Sequence, residues 1–274
     1  MLEYGKGAYN RTQGNLPQLD VVNMFVEQSA SQGVIMQSRR PLGEVLEIGS
    51  GPIRTTLVRD GVFAGDRFTI SGGKAYRGIT ELGDIIGNGV ASIAVRAGEV
   101  LFNAGGPIYS FNGTDFIQVT FPDNSNVTKV FYTAGYFLAI EAGTGYMFFS
   151  GVNDGRSWDA LDFFEVESEP DAVNDAVTLD GVIAAGGPNS VEFLAPTGNP
   201  DLPFTPIQQR VFEQGVFATG CMVQDDNTFF FVGGDQILYR NGNVPEAIGG
   251  DWLTERISLS STVRLYLLKD QRHK

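Results

Sequence analysis

Apolar residues fall in short runs along the chain, and each run is closed by Gly, Asn or Asp. One arrangement recurs. An apolar run enters Gly-Gly or Gly-x-Gly, and a second run follows with an aromatic residue near its start. The instances are FTISGGKAYRG (68–78), LFNAGGPIYSFNG (101–113), LAIEAGTGYMFFSG (138–151), GVIAAGGPNSVEFL (181–194) and FFFVGGDQILYRNG (229–242). Aromatic and β-branched residues broken by Gly and Asn suit pleated strands joined by tight turns. Glycine supplies the positive φ that a two-residue hairpin requires. The pattern predicts repeated β-hairpins.

The first glycines of these modules are Gly72, Gly105, Gly143, Gly186 and Gly233, spaced by 33, 38, 43 and 47 residues. Those spacings bracket a propeller blade, which needs ~40–50 residues for four short strands. Loops of different length within the blades account for the drift. Residues 93–96, 100–103, 108–111 and 116–120 read as the four strands of one unit, packed into 28 residues as in a meander. The segment 46–68 reads as a further blade. The expectation is an all-β fold, a β-propeller of five to six four-stranded blades over residues 46–274. A β-sandwich is the competing all-β architecture. Residues 1–45 read as a separate, mostly irregular N-terminal segment with one extended stretch and a turn. At the other end, ISLSSTVRLYL reads as an outer strand or a short helix, and the chain is expected to end within a module.

Charge and composition narrow the function classes. The formal net charge is −13, with 19 Lys plus Arg against 32 Asp plus Glu. A duplex-binding surface needs clustered Lys and Arg, so so acidic a chain suits that role poorly. The one cysteine, Cys221, permits no intrachain disulfide and no Cys-based metal site. The single histidine, His273, removes a Ser-His-Asp triad and multi-His metal centres. No cofactor is expected. The N-terminus has no apolar run of the signal-peptide kind. No stretch approaches the ~18 apolar residues of a transmembrane helix, so no membrane anchor is expected.

Three groups of residues could carry chemistry. In GVNDGRSWDALDF (151–163), Asn153, Gly155 and Trp158 have nearly the spacing of an Asp-box, a hairpin turn tied by an acidic or amide side chain and closed over a Trp. Gly151 stands where that motif has Ser or Thr. The expected role is structural. In EVESEPD (165–171), Glu165, Glu167, Glu169 and Asp171 alternate, so that in a strand all four would share one face. Such a row is either a solvated loop broken by Pro170, or a Ca²⁺ site or one wall of an acidic channel. Arg54, Arg59 and Arg67 could form an anion-binding group or serve as ion-pair partners. The basic end, Lys269, Arg272, His273 and Lys274, reads as a frayed terminus.

An ordered set of segments also resembles a known family. VVNMFVEQSASQG (21–33), RRPLGEVLEIGSGPIRTTLVRDGVFA (39–64), SWDALDFFEVESEPDAVNDAV (157–177), SVEFLAPTGNPDLPF (190–204) and RNGNVPEAIGGDWLTERIS (240–258) are similar to the tail-hub proteins of short-tailed phages. These are also called nozzle, tail accessory or packaged-DNA stabilisation proteins. The resemblance spans residues 15–260 in order. It implies a propeller subunit, synthesised in the host cytoplasm and built into the virion tail. There, copies of the chain form a sixfold ring below the portal and its adaptor. The ring extends the DNA-exit channel, lets DNA pass without specific binding, and carries the needle or plug that retains it. It implies no catalytic residues. The alternative function is a carbohydrate-binding or carbohydrate-active propeller, for which the Asp-box-like turn is the support.

Overall fold

The computed structural model describes residues 46–122, 126–166, 171–260 and 262–267, and the backbone of strands β1 (Met24–Ser29) and β2 (Gly33–Ser38). β1 and β2 pair as an antiparallel hairpin. The rest of residues 1–45, with Glu167, Glu169 and the basic residues 269–274, lies outside the described residues.

Five four-stranded sheets follow. Blade 1 is β3 (Ile53–Val58), β4 (Arg67–Ser71), β5 (Lys74–Arg77) and β6 (Thr80–Asp84). Blade 2 is β7 (Ser92–Arg96), β8 (Glu99–Asn103), β9 (Ile108–Phe111) and β10 (Phe116–Gln118). Blade 3 is β11 (Val127–Thr133), β12 (Tyr136–Glu141), β13 (Tyr146–Gly151) and β14 (Asp154–Glu165). Blade 4 is β15 (Asp175–Leu179), β16 (Val182–Gly186), β17 (Val191–Pro196) and β18 (Phe204–Phe212). Blade 5 is β19 (Met222–Asp225), β20 (Thr228–Val232), β21 (Leu238–Arg240) and β22 (Glu246–Ala247). Each is an antiparallel meander, and together they make a β-propeller. Of the five to six blades expected, five are formed among the described residues.

The five repeated glycines all fall at the turn between the second and third strands of their blades. They are there for two different reasons. Gly72, Gly105 and Gly143 have φ of +57°, +76° and +75°, as hairpin turns demand. Gly186 and Gly233 have ordinary φ. A Cβ on Gly186 would lie 2.3 Å from Val216 Cγ2, and one on Gly233 would lie 2.5 Å from Asp235 Oδ1. There the missing side chain admits a neighbour rather than a turn, a correction to the single explanation offered above. The two longest spacings, 43 and 47, span the two longest strands, β14 with 12 residues and β18 with 9.

Antiparallel meanders give the molecule two faces. The turns joining strands one to two and three to four lie on one, here the hairpin face. The turns joining strands two to three, and the connections between blades, lie on the other, the crossover face. Four apolar clusters fill the junctions between consecutive blades. Phe68 meets Phe102 across blades 1 and 2 with ring centroids 6.0 Å apart. Phe164 meets Phe204 across blades 3 and 4 at 5.7 Å, and Phe193 meets Phe229 across blades 4 and 5 at 6.2 Å. Each buried Phe contributes roughly 1.5–3 kcal/mol by leaving water. After blade 5 comes helix α1 (Asp251–Ser258), and residues 262–267 then run without regular secondary structure past the start of β19, where Leu265 N–H donates to Gly220 O. The stretch read as an outer strand or a short helix is therefore divided. Its first residues close the helix, and residues 262–267 form neither strand nor helix.

Candidate functional site

Buried charged groups come first, because each must be paired or hydrogen-bonded to be tolerated. Three charged side chains, Arg54, Glu99 and Asp175, tie one blade to the next. Arg54, at the start of β3, donates to four carbonyls: Gly72 (3.2 Å), Gly87 (2.8 Å), Gly89 (2.7 Å) and Ala104 (3.1 Å). This pins blade 1 to the turns of blade 2. Burial lowers the Arg54 pKa, and the nearby Arg264 lowers it further. Glu99, 4% exposed, joins blades 2 and 3 by accepting from Gly155 N–H (2.9 Å) and Ser110 Oγ (2.8 Å). Asp175, fully buried, takes Lys129 Nζ at 2.5 Å and the N–H groups of Gly220 and Met222 at 2.9 Å each. It thereby holds blades 3, 4 and 5 together.

The turn around Asn153 is built differently from its spacing. Asn153 has φ +55°, and its Oδ1 accepts from Tyr132 Oη instead of tying its own turn. The tie comes from Asp154, whose Oδ1 accepts Arg156 N–H at 3.0 Å. Trp158 Nε1 donates to Gly155 O at 2.8 Å, and its ring meets Phe121 edge-on at 5.2 Å. A Cβ on Gly155 would lie 2.8 Å from Leu101, so the turn is pressed onto blade 2.

The acidic row does not share one strand among the described residues. β14 ends at Glu165, paired with Tyr146, while Asp171 lies in the connection to blade 4 and accepts from Asn189 Nδ2 at 2.8 Å. Among the described residues, no group of three or more His, Cys, Asp or Glu could hold a metal ion. The three arginines also separate. Arg54 sits at the crossover-face end of β3, while Arg59 and Arg67 flank the β3–β4 turn on the hairpin face.

An open cleft of about 500 Å³ lies on that hairpin face. It is lined by Arg59 and Asp60 after β3, Val62, Arg96 and Ala97 at the end of β7, Tyr132 near the end of β11, and Asn153. Three consecutive first strands thus deliver polar ends to one place. Sequence reading named Arg59 and Asn153 for other roles and missed Arg96 and Tyr132. A strand-terminal Arg before Ala-Gly was the available signal, but nothing local links it to Arg59.

These features define a class: a five-bladed all-β propeller in which Arg54, Glu99 and Asp175 bind blade to blade. A model of the family described as "Bacteriophage P22 Gp10, beta-propeller" matches residues 5–239. The chain belongs to that family, and so is a phage structural protein. No curated protein matches it. Among solved structures it is similar to the computationally designed Ika8 protein, at 12% identity and a TM-score of 0.50, over 81% of this chain and 69% of that one. It is also similar to Hsv2 of Kluyveromyces lactis, at 9% identity and a TM-score of 0.48, over 86% and 85%. The Ika8 likeness speaks to the fold alone. No helix among the described residues is long and apolar enough to cross a membrane.

Proposed function

We propose that the chain is a structural subunit of a short-tailed phage's tail hub. Copies form a ring, sixfold by resemblance, below the portal and its adaptor. The ring continues the DNA-exit channel and, with a needle or plug, retains the packaged genome in the virion tail. The observation that carries this reading is the family match over residues 5–239. Two further features support it. Each junction between consecutive blades holds an apolar cluster, and charged side chains cross each junction as well, which suits a part that must keep its shape under load. The net charge of −13 suits a conduit that must not hold DNA. The subunit's role is mechanical, and no substrate is expected.

The test is electron microscopy of the purified chain mixed with its portal–adaptor complex. A ring of propellers on the adaptor's outer end is the expected result. A chain that fails to bind, or binds outside the channel axis, overturns the reading. The carbohydrate alternative gains no support from the turn at 153–158, because its indole is packed against Phe121.

A further inference from the structure

The hairpin-face cleft holds two cations whose donors are only partly used. Arg59 is exposed and donates Nη1 to Val95 O at 3.0 Å. Among the described residues no carboxylate lies within ion-pair distance of it. Arg96 donates Nη1 to Ala97 O at 2.7 Å. Its Nε stands 3.6 Å from Glu99 Oε2, is buried and makes no hydrogen bond. Glu99 is already engaged by Gly155 and Ser110. Each guanidinium is thus held by a backbone carbonyl and keeps N–H groups to spare.

The rest of the wall is mostly polar and is held in place. Asn153 N–H donates to Gly135 O at 2.7 Å. Its Oδ1 accepts from Tyr132 Oη, which leaves its Nδ2 hydrogens without a partner among the described residues. Tyr132 in turn packs on Phe137, with ring centroids 5.0 Å apart. Asp60 is the one carboxylate in the lining, and Val62 and Ala97 are its aliphatic members. The cleft's volume of about 500 Å³ falls within the ~300–1,000 Å³ range of small-ligand sites. Guanidiniums match a planar carboxylate. A bare carboxylate would leave most of that space empty and would feel Asp60 as a repulsion. A carboxylate that also carries hydroxyls uses the whole wall, because a hydroxyl can donate to Asp60 and accept from Asn153 Nδ2.

We infer that this cleft binds a sugar acid, with the carboxylate on Arg59 and Arg96 and the hydroxyls on Asp60 and Asn153. Such binding goes beyond the tail-hub reading and does not depend on it, since the sugar is held without turnover. Two other occupants fit less well. An acidic peptide loop gains its affinity from large anchors in an apolar pocket, and here the aliphatic lining is just Val62 and Ala97. A DNA duplex needs a run of phosphate contacts. The cleft is a local recess, and the turns of blades 4 and 5 on the same face bring Asp180 and Asp226.

The probes are the methyl glycosides of glucuronic, galacturonic and N-acetylneuraminic acid, followed by ligand-observed NMR and calorimetry on the purified chain. Methyl glucoside, acetate, inorganic phosphate and a short Glu-containing peptide serve as comparisons. At least one of the sugar acids should bind, and methyl glucoside and acetate should each bind at least tenfold more weakly. Binding should fall as salt rises. Arg59→Gln should weaken the sugar acid about tenfold, the value of one charge-assisted contact, and leave the urea midpoint in place. Asp60→Asn separates the two halves of the site: it should weaken the sugar acid yet strengthen acetate. If Asp60→Asn strengthens both, the cleft reads charge alone and the inference is overturned. It is overturned equally if none of the sugar acids binds, or if phosphate or the peptide binds more tightly than all of them. None of these results bears on ring formation, which the adaptor experiment above decides by itself.

Discussion

Asp175 shows how much one residue can hold in this fold. Both of its oxygens are used, with Lys129 on one and the N–H groups of Gly220 and Met222 on the other. Asp175→Asn keeps the shape, strands the Lys129 charge and turns an amide donor toward backbone donors. It should destabilise by about 3–5 kcal/mol, the usual cost of breaking a buried pair from one side. Lys129→Met should cost less, because the carboxylate keeps its backbone donors. Urea midpoints of the two variants give the order, and equal small shifts would mean that water replaces these contacts. None of this was legible in the sequence. Asp175 opens an ordinary alternating strand, and its partners lie 46 residues before and 45 and 47 after it. Arg54 was singled out, but for an anion, because a sequence lists charged groups and omits the carbonyls that can satisfy them. Cys221 makes a simpler case. It is buried, its thiol lies against Val263 O, and burial first, then the Asp175 charge, push its pKa up to about 11. At pH 8 the folded protein should react with a thiol reagent only as fast as it opens, and unfolded protein at once. Rapid native labelling would show that residues 262–267 do not cover it.

At the scale of the element, the turn chemistry was readable and the strand ends were not. The strands expected at 93–96, 100–103 and 108–111 match β7, β8 and β9 to within a residue, because Ala-Gly-Glu and Gly-Gly-Pro punctuate them unambiguously. β14 had no such punctuation. Its register against β13 shifts twice, and residues 159–162 stand off the ladder, with Leu161 84% exposed. The Asp-box-like spacing gave the turn, but local sequence could not say that Asp154 would tie it or that Asn153 would turn to Tyr132. Trp158 packs on Phe121 and spans from its own turn to the blade 2–3 cluster. Trp158→Ala should therefore cost about 3 kcal/mol, near the low end for large aromatic truncations because the ring is only half-buried. Trp158→Phe should recover most of the packing but lose the bond to Gly155 O. A Trp158→Ala variant with an unshifted urea midpoint would mean the indole is free to bind a ligand.

At the scale of the whole molecule, the decisive quantity is where the charge faces once copies assemble. Asp159 and Asp162 lie in β14, an edge strand of blade 3, and Asp201 lies in the turn before β18, an edge strand of blade 4. There burial raises the pKa of Asp162 most, and the charges of Asp159 and Asp201 raise it further. The charge repulsion that adds to burial at Asp162 is also felt by a phosphate passing nearby. A low-dielectric wall strengthens that field, whereas a basic wall would bind the duplex through counterion release and slow it. The proposed ring should therefore turn this edge toward the channel, leaving the lumen more acidic than the outer rim. A structure of the assembled tail, with its surface charge mapped, checks the orientation directly. A virion carrying Asp159→Lys, Asp162→Lys and Asp201→Lys checks the consequence. Ejection should slow, and the slowing should fade as salt rises through the physiological range and the Debye length falls below ~8 Å. A lumen lined mainly by Lys and Arg, or ejection unchanged by the triple substitution at low salt, would show that the acidity of this chain serves solubility and not passage.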